Sequence, residues 1–115
     1  MKRLPVYFYR TETGREPVRE WLQSLDRDDR KAVGEDVKMV EFGWPVGMPT
    51  CRPLGEGIFE IRTDLPSGKI SRVFFCAEEG TLYLLHSIIK KTRETPKNDL
   101  DIARKRRRQV LNWLG

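Results

Sequence analysis

Apolar and polar positions follow two different rhythms along this chain of 115 residues, and the changes of rhythm divide it into elements. Val6-Tyr7-Phe8-Tyr9 is a short β-type run, which Pro5 confines to a strand start or a sheet edge. Pro17 suits the first turn of a helix, and Val18, Trp21, Leu22 and Leu25 follow at i, i+3, i+4 and i+7. An acidic turn (Asp26, Asp28, Asp29) leads to a second helical stripe, Val33, Val37 and Val40, running toward Trp44 and stopped by Gly43 and Pro45. The short link predicts that these two helices form an antiparallel hairpin. Gly34 costs the second helix roughly 1 kcal/mol against Ala, so it is expected to mark a close helix approach.

Residues 43–57, with Pro45, Pro49, Pro53 and several glycines, have loop composition. Three β-type runs follow: Ile58–Thr63, Ile70–Cys76 and Leu82–Ile89. The segments between them, Asp64–Lys69 and Ala77–Gly80, have turn chemistry that suits antiparallel hairpins. Asn98 reads as an N-cap, and a helix from Asp99 to Leu114 carries Leu100, Ala103, Val110, Leu111 and Leu114 on one face. The order β-α-α-β-β-β-α predicts an α+β fold in one domain over residues 1–115: a small antiparallel sheet with its helices packed on one side. Strand alternation then puts Ile58, Glu60 and Arg62 on one face, with Ile70, Arg72, Phe74 and Cys76 together on the next strand. On the last strand it groups Leu82, Leu84, His86, Ile88 and Lys90 against Tyr83, Leu85, Ser87, Ile89 and Lys91.

Charge changes this picture at one end. The net charge is +5, but residues 90–115 hold nine Lys/Arg and three Asp/Glu, a net +6, which leaves −1 for the rest. Such asymmetry is the footprint of a phosphate-bearing partner or an acidic protein, and does not choose between them. Hydrophobic content of 38% supports a core, and no stretch approaches the ~20 apolar residues that span a bilayer. Met1-Lys-Arg-Leu-Pro5 has no apolar segment behind it, so cytoplasmic residence and no membrane association are expected. Cys51 and Cys76, without CxxC spacing and with only one histidine in the chain, point away from a zinc site; both are expected reduced. No cofactor or metal is expected.

Three blocks then carry a resemblance: Leu54–Arg62, Ser71-Arg72-Val73-Phe74-Phe75, and Leu84-Leu85-His86-Ser87-Ile88-Ile89-Lys90-Lys91-Thr92-Arg93-Glu94-Thr95-Pro96 followed by the basic helix. With the early Pro-Val-x-x-Trp-Leu helix, they resemble the RelE/ParE toxin superfamily, and most closely its HigB-type, phage-derived branch. Two positions depart from the branch pattern. Ser87-Ile88 stands for the usual Gly-Phe, and Glu94 for a third lysine.

The resemblance implies the toxin of a type II toxin–antitoxin pair, a metal-independent endoribonuclease that cleaves mRNA on the ribosome by attack of the RNA's own 2′-OH. Its partners would be a cognate antitoxin, expected to be a small helix-turn-helix protein, with the ribosome and mRNA. The expected catalytic group is Arg62 and Arg72 as phosphate clamps and Lys90 and Lys91 as acid/base or electrostatic groups. His86 is an alternative proton carrier, although a strand histidine also suits a hydrogen-bonded core position. Glu60 is placed to pair with Arg62 or Arg72, an ion pair compatible with a site. Arg52, Arg93, Arg104 and Arg107 are expected RNA contacts, against the plainer reading of solvated cations. Trp44 and Tyr83 suit either base stacking or the core. The competing functions are a non-enzymatic, ParE-like inhibitor of DNA gyrase and an inactive phage-derived nucleic-acid-binding module, because fold does not fix function.

Overall fold

The computed structural model describes residues 3–90 and 94–115. The elements run β1 (Val6–Phe8), α1 (Pro17–Ser24), α2 (Arg27–Gly43), β2 (Cys51–Gly55), β3 (Ile58–Asp64), β4 (Ile70–Glu78), β5 (Thr81–Ile89) and α3 (Lys97–Leu114). This is the α+β class read from the sequence. The strands form one sheet in the order β1-β5-β4-β3-β2, antiparallel except where β1 pairs parallel with β5. β2 lies where loop composition predicted no strand. It is an edge strand, and only the edge tolerates Pro53, which has no ladder N–H to give.

Two tight turns make the outer hairpins. Glu56-Gly57 joins β2 to β3 and Glu79-Gly80 joins β4 to β5, all four residues at positive φ as mirror-type hairpin turns require. The second turn is shorter than predicted, because β4 continues through Ala77 and Glu78.

Helices cover both faces of the sheet, not one. Val18 of α1 and Val33 and Val40 of α2 pack with Ile61, Val73, Phe75, Leu82 and Leu84. Ala103 and Val110 of α3 pack with Ile58, Phe74, Cys76, Tyr83 and Leu85, which point the opposite way from the same strands. Burial of both strand periods explains why β4 reads as a continuous apolar run through Val73-Phe74-Phe75-Cys76.

On the first face α1 lies against β5 and β1, and α2 against β3. Gly34 of α2 is exposed, and a Cβ there would meet nothing within 4 Å, so it marks no helix contact. Trp44, just past α2, packs edge-on against Phe59 and Phe75 at 4.9 and 5.4 Å. Tyr83 is buried, and neither ring is a free stacking platform. α3 starts at Lys97, ahead of the predicted Asn98 cap, and Pro96 occupies the cap position. Its buried stripe is Leu100, Ala103, Val110 and Leu114; Leu111 lies a residue off that spacing and is exposed.

Candidate functional site

α3 covers only part of its face of the sheet. Where its apolar stripe ends, the inward positions of β2, β3 and β4 become charged. Arg52 stands directly opposite Glu60, and Arg62 directly opposite Arg72, in the ladders that join these strands. The sequence placed Arg52 in a loop; it belongs to β2.

Two arginines opposed across a ladder repel, and each is compensated by an acid. Glu60 Oε2 lies 3.6 Å from Arg72 Nε, with both side chains almost fully buried. Glu60 Oε1 lies 3.9 Å from Arg52 Nε, and Arg62 Nη2 lies 3.6 Å from Asp64 Oδ1. The predicted ion pair at Glu60 is therefore present, made with Arg72 and supplemented by Arg52. Glu60 Oε2 has no hydrogen-bond partner among the described residues.

The two predicted phosphate clamps differ in access. Arg62 keeps 44% of its side-chain surface exposed, whereas Arg72 keeps 3%. Arg72 lies beneath the segment that leads into α3, and its Nη1 donates to Thr95 Oγ1 at 2.9 Å. It was expected on an open face, but it is enclosed, with Glu60 beside Nε and Thr95 on Nη1. Lys90 follows β5 directly; its amide donates to Ile70 O at 2.6 Å, which puts it beside the start of β4. Lys91 and Arg93 lie outside the described residues.

A β-bulge in β5 decides where His86 points. Phe75 pairs with Leu84 but Phe74 pairs with His86, so Leu85 is the extra residue. Simple alternation put His86 on the face of Leu82 and Leu84. The bulge moves it to the α3 face, stacked on Phe74 with ring centroids 5.8 Å apart. There His86 Nε2 meets Asp99 Oδ1 at 2.7 Å, and Arg106 Nη1 approaches His86 Nδ1 at 3.4 Å. Arg106 Nη1 also donates to Leu85 O at 2.8 Å. No residue pattern signals the bulge, and from the sequence Asp99 is only a first-turn acid.

The other predicted cations of α3 are engaged within the molecule. Arg104 pairs with Glu56 and, at 3.4 Å, with Asp101. Arg107 Nε donates to Glu78 Oε1 at 2.8 Å. It crosses so close over the β2–β3 turn that a Cβ on Gly57 would sit 2.6 Å from its Nε. The φ of +76° favours glycine at position 57, and any side chain there would push the Arg107 guanidinium aside. Lys97, Lys105 and Arg108 are exposed.

Neither cysteine offers a nucleophile. Burial pushes the Cys51 thiol up to about 11, helped by the charge of Glu60, and the Cys76 thiol up to about 12, with Glu78 adding and Arg107 opposing. They pack on opposite faces of the sheet. Among the described residues no group of three His, Cys, Asp or Glu side chains could hold a metal ion. No helix among them is long and apolar enough to cross a membrane.

What the arrangement can do follows from these contacts: it sets guanidinium groups on adjacent strands, held by the buried Glu60 and the exposed Asp64, where an anion can be met. No curated protein matches the chain. The sequence profile of the phage derived protein Gp49-like (DUF891) family matches residues 20–108, a span that holds every described residue of the charged patch. The chain therefore belongs to the Gp49-like, phage-derived family, within the RelE/ParE-like toxin superfamily.

Proposed function

We propose that this protein is a HigB-type toxin that cleaves mRNA on the translating ribosome. The observation that carries the reading is the gathering of Arg52 and Arg72 around Glu60, with Arg62 opposite Arg72, on three adjacent strands and Lys90 leaving the fourth. In the reaction, the 2′-OH attacks the adjacent phosphorus, the P–O5′ bond breaks, and a cyclic phosphate and a 5′-OH result. One group must take the 2′ proton and another must supply a proton to O5′. Charge on the phosphoryl oxygens rises on the way, and fixed cationic donors stabilise it without reorganising. Arg62 has the exposure to meet the phosphate directly. Arg72 acts from beneath Thr95, whose hydroxyl accepts from Nη1 and holds the guanidinium in place.

Lys90 and Lys91 are the proposed proton carriers or electrostatic partners, since a lysine among cations loses its proton more readily. Arg52 and Arg93 are proposed contacts along the RNA. Arg104 and Arg107 serve RNA only by exchanging their carboxylate partners, which makes the exposed Lys97, Lys105 and Arg108 the better contacts with ribosomal RNA. The reading places the protein in the cytoplasm with a cognate antitoxin, a small helix-turn-helix protein, as its partner. No metal takes part.

The test is induction without the partner, followed by pulse labelling and primer extension on cellular mRNA. Translation should fall before DNA replication, and discrete new 5′ ends should appear within translated frames. Replication failing first, with intact mRNA, would move the protein to the gyrase-inhibitor class.

A further inference from the structure

We infer that Arg106, His86 and Asp99 form a positioning relay that seats the start of α3, and with it Thr95, over Arg72. The inference rests on the proposed RNA cleavage and assigns His86 a part other than proton transfer.

The relay begins with a backbone problem. The bulge leaves Leu85 outside the regular pairing of β4 with β5, and a buried carbonyl without a partner is costly. Arg106, one turn inside the buried stripe of α3, donates to that carbonyl and lies over the Tyr9 ring at 5.1 Å. Arg106 is half-buried there, and burial lowers its basicity with Tyr9 opposing. The same Nη1 faces His86 Nδ1.

A guanidinium only donates, so Nδ1 is the acceptor. The ring proton is then on Nε2, where it is donated to Asp99 Oδ1. Both imidazole nitrogens are engaged and the ring is clamped on Phe74, which leaves neither nitrogen directed at a substrate.

Asp99 stands in the first turn of α3, four residues after Thr95, which in turn accepts from Arg72. The chain of contacts therefore runs from the core of the sheet through His86 to the helix start, and from there to the arginine of the charged patch. Losing it frees the helix start from β5 and lets Thr95 and Arg72 drift together.

The experiment measures single-turnover cleavage of a defined mRNA on purified programmed ribosomes, with thermal unfolding in parallel, for His86→Ala, Asp99→Ala, the double variant and His86→Gln. Displacement of a reacting group by about 1 Å costs up to roughly 10²-fold in rate, so each alanine variant should lose about 10- to 100-fold in the single-turnover rate constant at saturation, with the half-saturating concentration little changed. The double variant should lose no more than either single one, because both cut the same chain. His86→Gln should restore most of the rate, since an amide can donate to Asp99 and accept from Arg106 at once.

A glutamine variant as inactive as the alanine one makes His86 a proton carrier and overturns the relay. Variants that lose only stability while the folded fraction cleaves normally also overturn it. A wild-type protein that leaves the mRNA intact overturns the function itself and the relay with it, an outcome distinct from either.

Discussion

The two faces of this sheet are built from the same strands and treat polarity in opposite ways. Under α1 and α2, the polar strand residues enclosed are Thr63 and Ser71, small hydroxyls that face each other across the β3–β4 ladder. Neither hydroxyl has a hydrogen-bond partner among the described residues. On the α3 face, the neighbouring positions enclose full charges, Glu60 and Arg72. An unpaired hydroxyl costs about 1–3 kcal/mol and can be carried by a good core, whereas an unpaired charge cannot. The charges accordingly occur where each has an opposite charge beside it and where the helix cover runs out. A face that stabilises the fold and a face that can bind an anion thus come from one strand pattern, separated only by which helix lies above and how far it reaches.

The largest effect should come from breaking the dry face. Phe75 is fully buried, stacked on Phe59 and met edge-on by Trp44. Phe75→Ala should cost about 3–5 kcal/mol in urea unfolding, while cleavage per folded molecule stays unchanged. A change in specific cleavage would mean that the two faces are coupled, against the separation argued above.

The next effect lies on the charged face and separates two roles for Arg72. If Arg72 stabilises the transition state, Arg72→Ala lowers the cleavage rate by about 10²–10³, some 3–4 kcal/mol of barrier. Glu60→Ala removes the carboxylate beside the buried Arg72, and removing one member of a buried pair costs about 3–5 kcal/mol of stability. The expected outcome is therefore a kinetic loss for Arg72→Ala beyond any shift in its Tm, and a stability loss for Glu60→Ala. Equal loss of stability in both variants, with normal cleavage by folded Arg72→Ala, would make the arginine structural.

Much of this architecture was legible because periodicity reports burial. The stripes at Val18–Leu25 and Val33–Val40, the three apolar runs from Ile58 to Ile89 and the amphipathic last helix all became elements. That Arg62 and Arg72 could share a face was legible from alternation, whereas their direct opposition depends on the strand register. What stayed hidden depends on contacts distant in sequence. β2 is an edge strand containing a proline, so its composition is that of a loop. The bulge at Leu85 leaves no residue signature, yet it reversed the facing of His86. Arg106 lay in a run of five cations in which only packing distinguishes the arginine that enters the core from those that remain in water. The side on which α3 packs was equally beyond reach, because β4 is apolar in both periods.

A smaller effect should come from α2, the helix above the dry face. Gly34 has helical neighbours, open space around its Cα and no positive φ. Gly34→Ala should raise stability by about 0.5–1 kcal/mol by lowering the entropy of the unfolded chain. Chemical denaturation with an unchanged m-value would show it. A loss of stability instead would mean that a side chain at this position clashes within the chain, against the open space found around Gly34.

The smallest effect compares the dryness of the two faces directly, through a thiol on each. Cys51 lies under α2 and Cys76 under α3, and burial raises the first to about 11 and the second to about 12. In the unfolded chain both titrate near ~8.5. Below that pH both states hold their protons, and the thiols contribute no slope. Above it the unfolded chain loses protons that the folded chain keeps, so stability falls as pH rises toward the folded values. Unfolding in urea at steps of pH through this alkaline range should show a decline that Cys51→Ala and Cys76→Ala each reduce. The Cys76 contribution should persist to the higher pH, because the α3 face encloses its thiol more completely than the α2 face encloses Cys51. A decline that neither substitution reduces would mean that water reaches both thiols, and the dry core assigned to each face would have to be withdrawn.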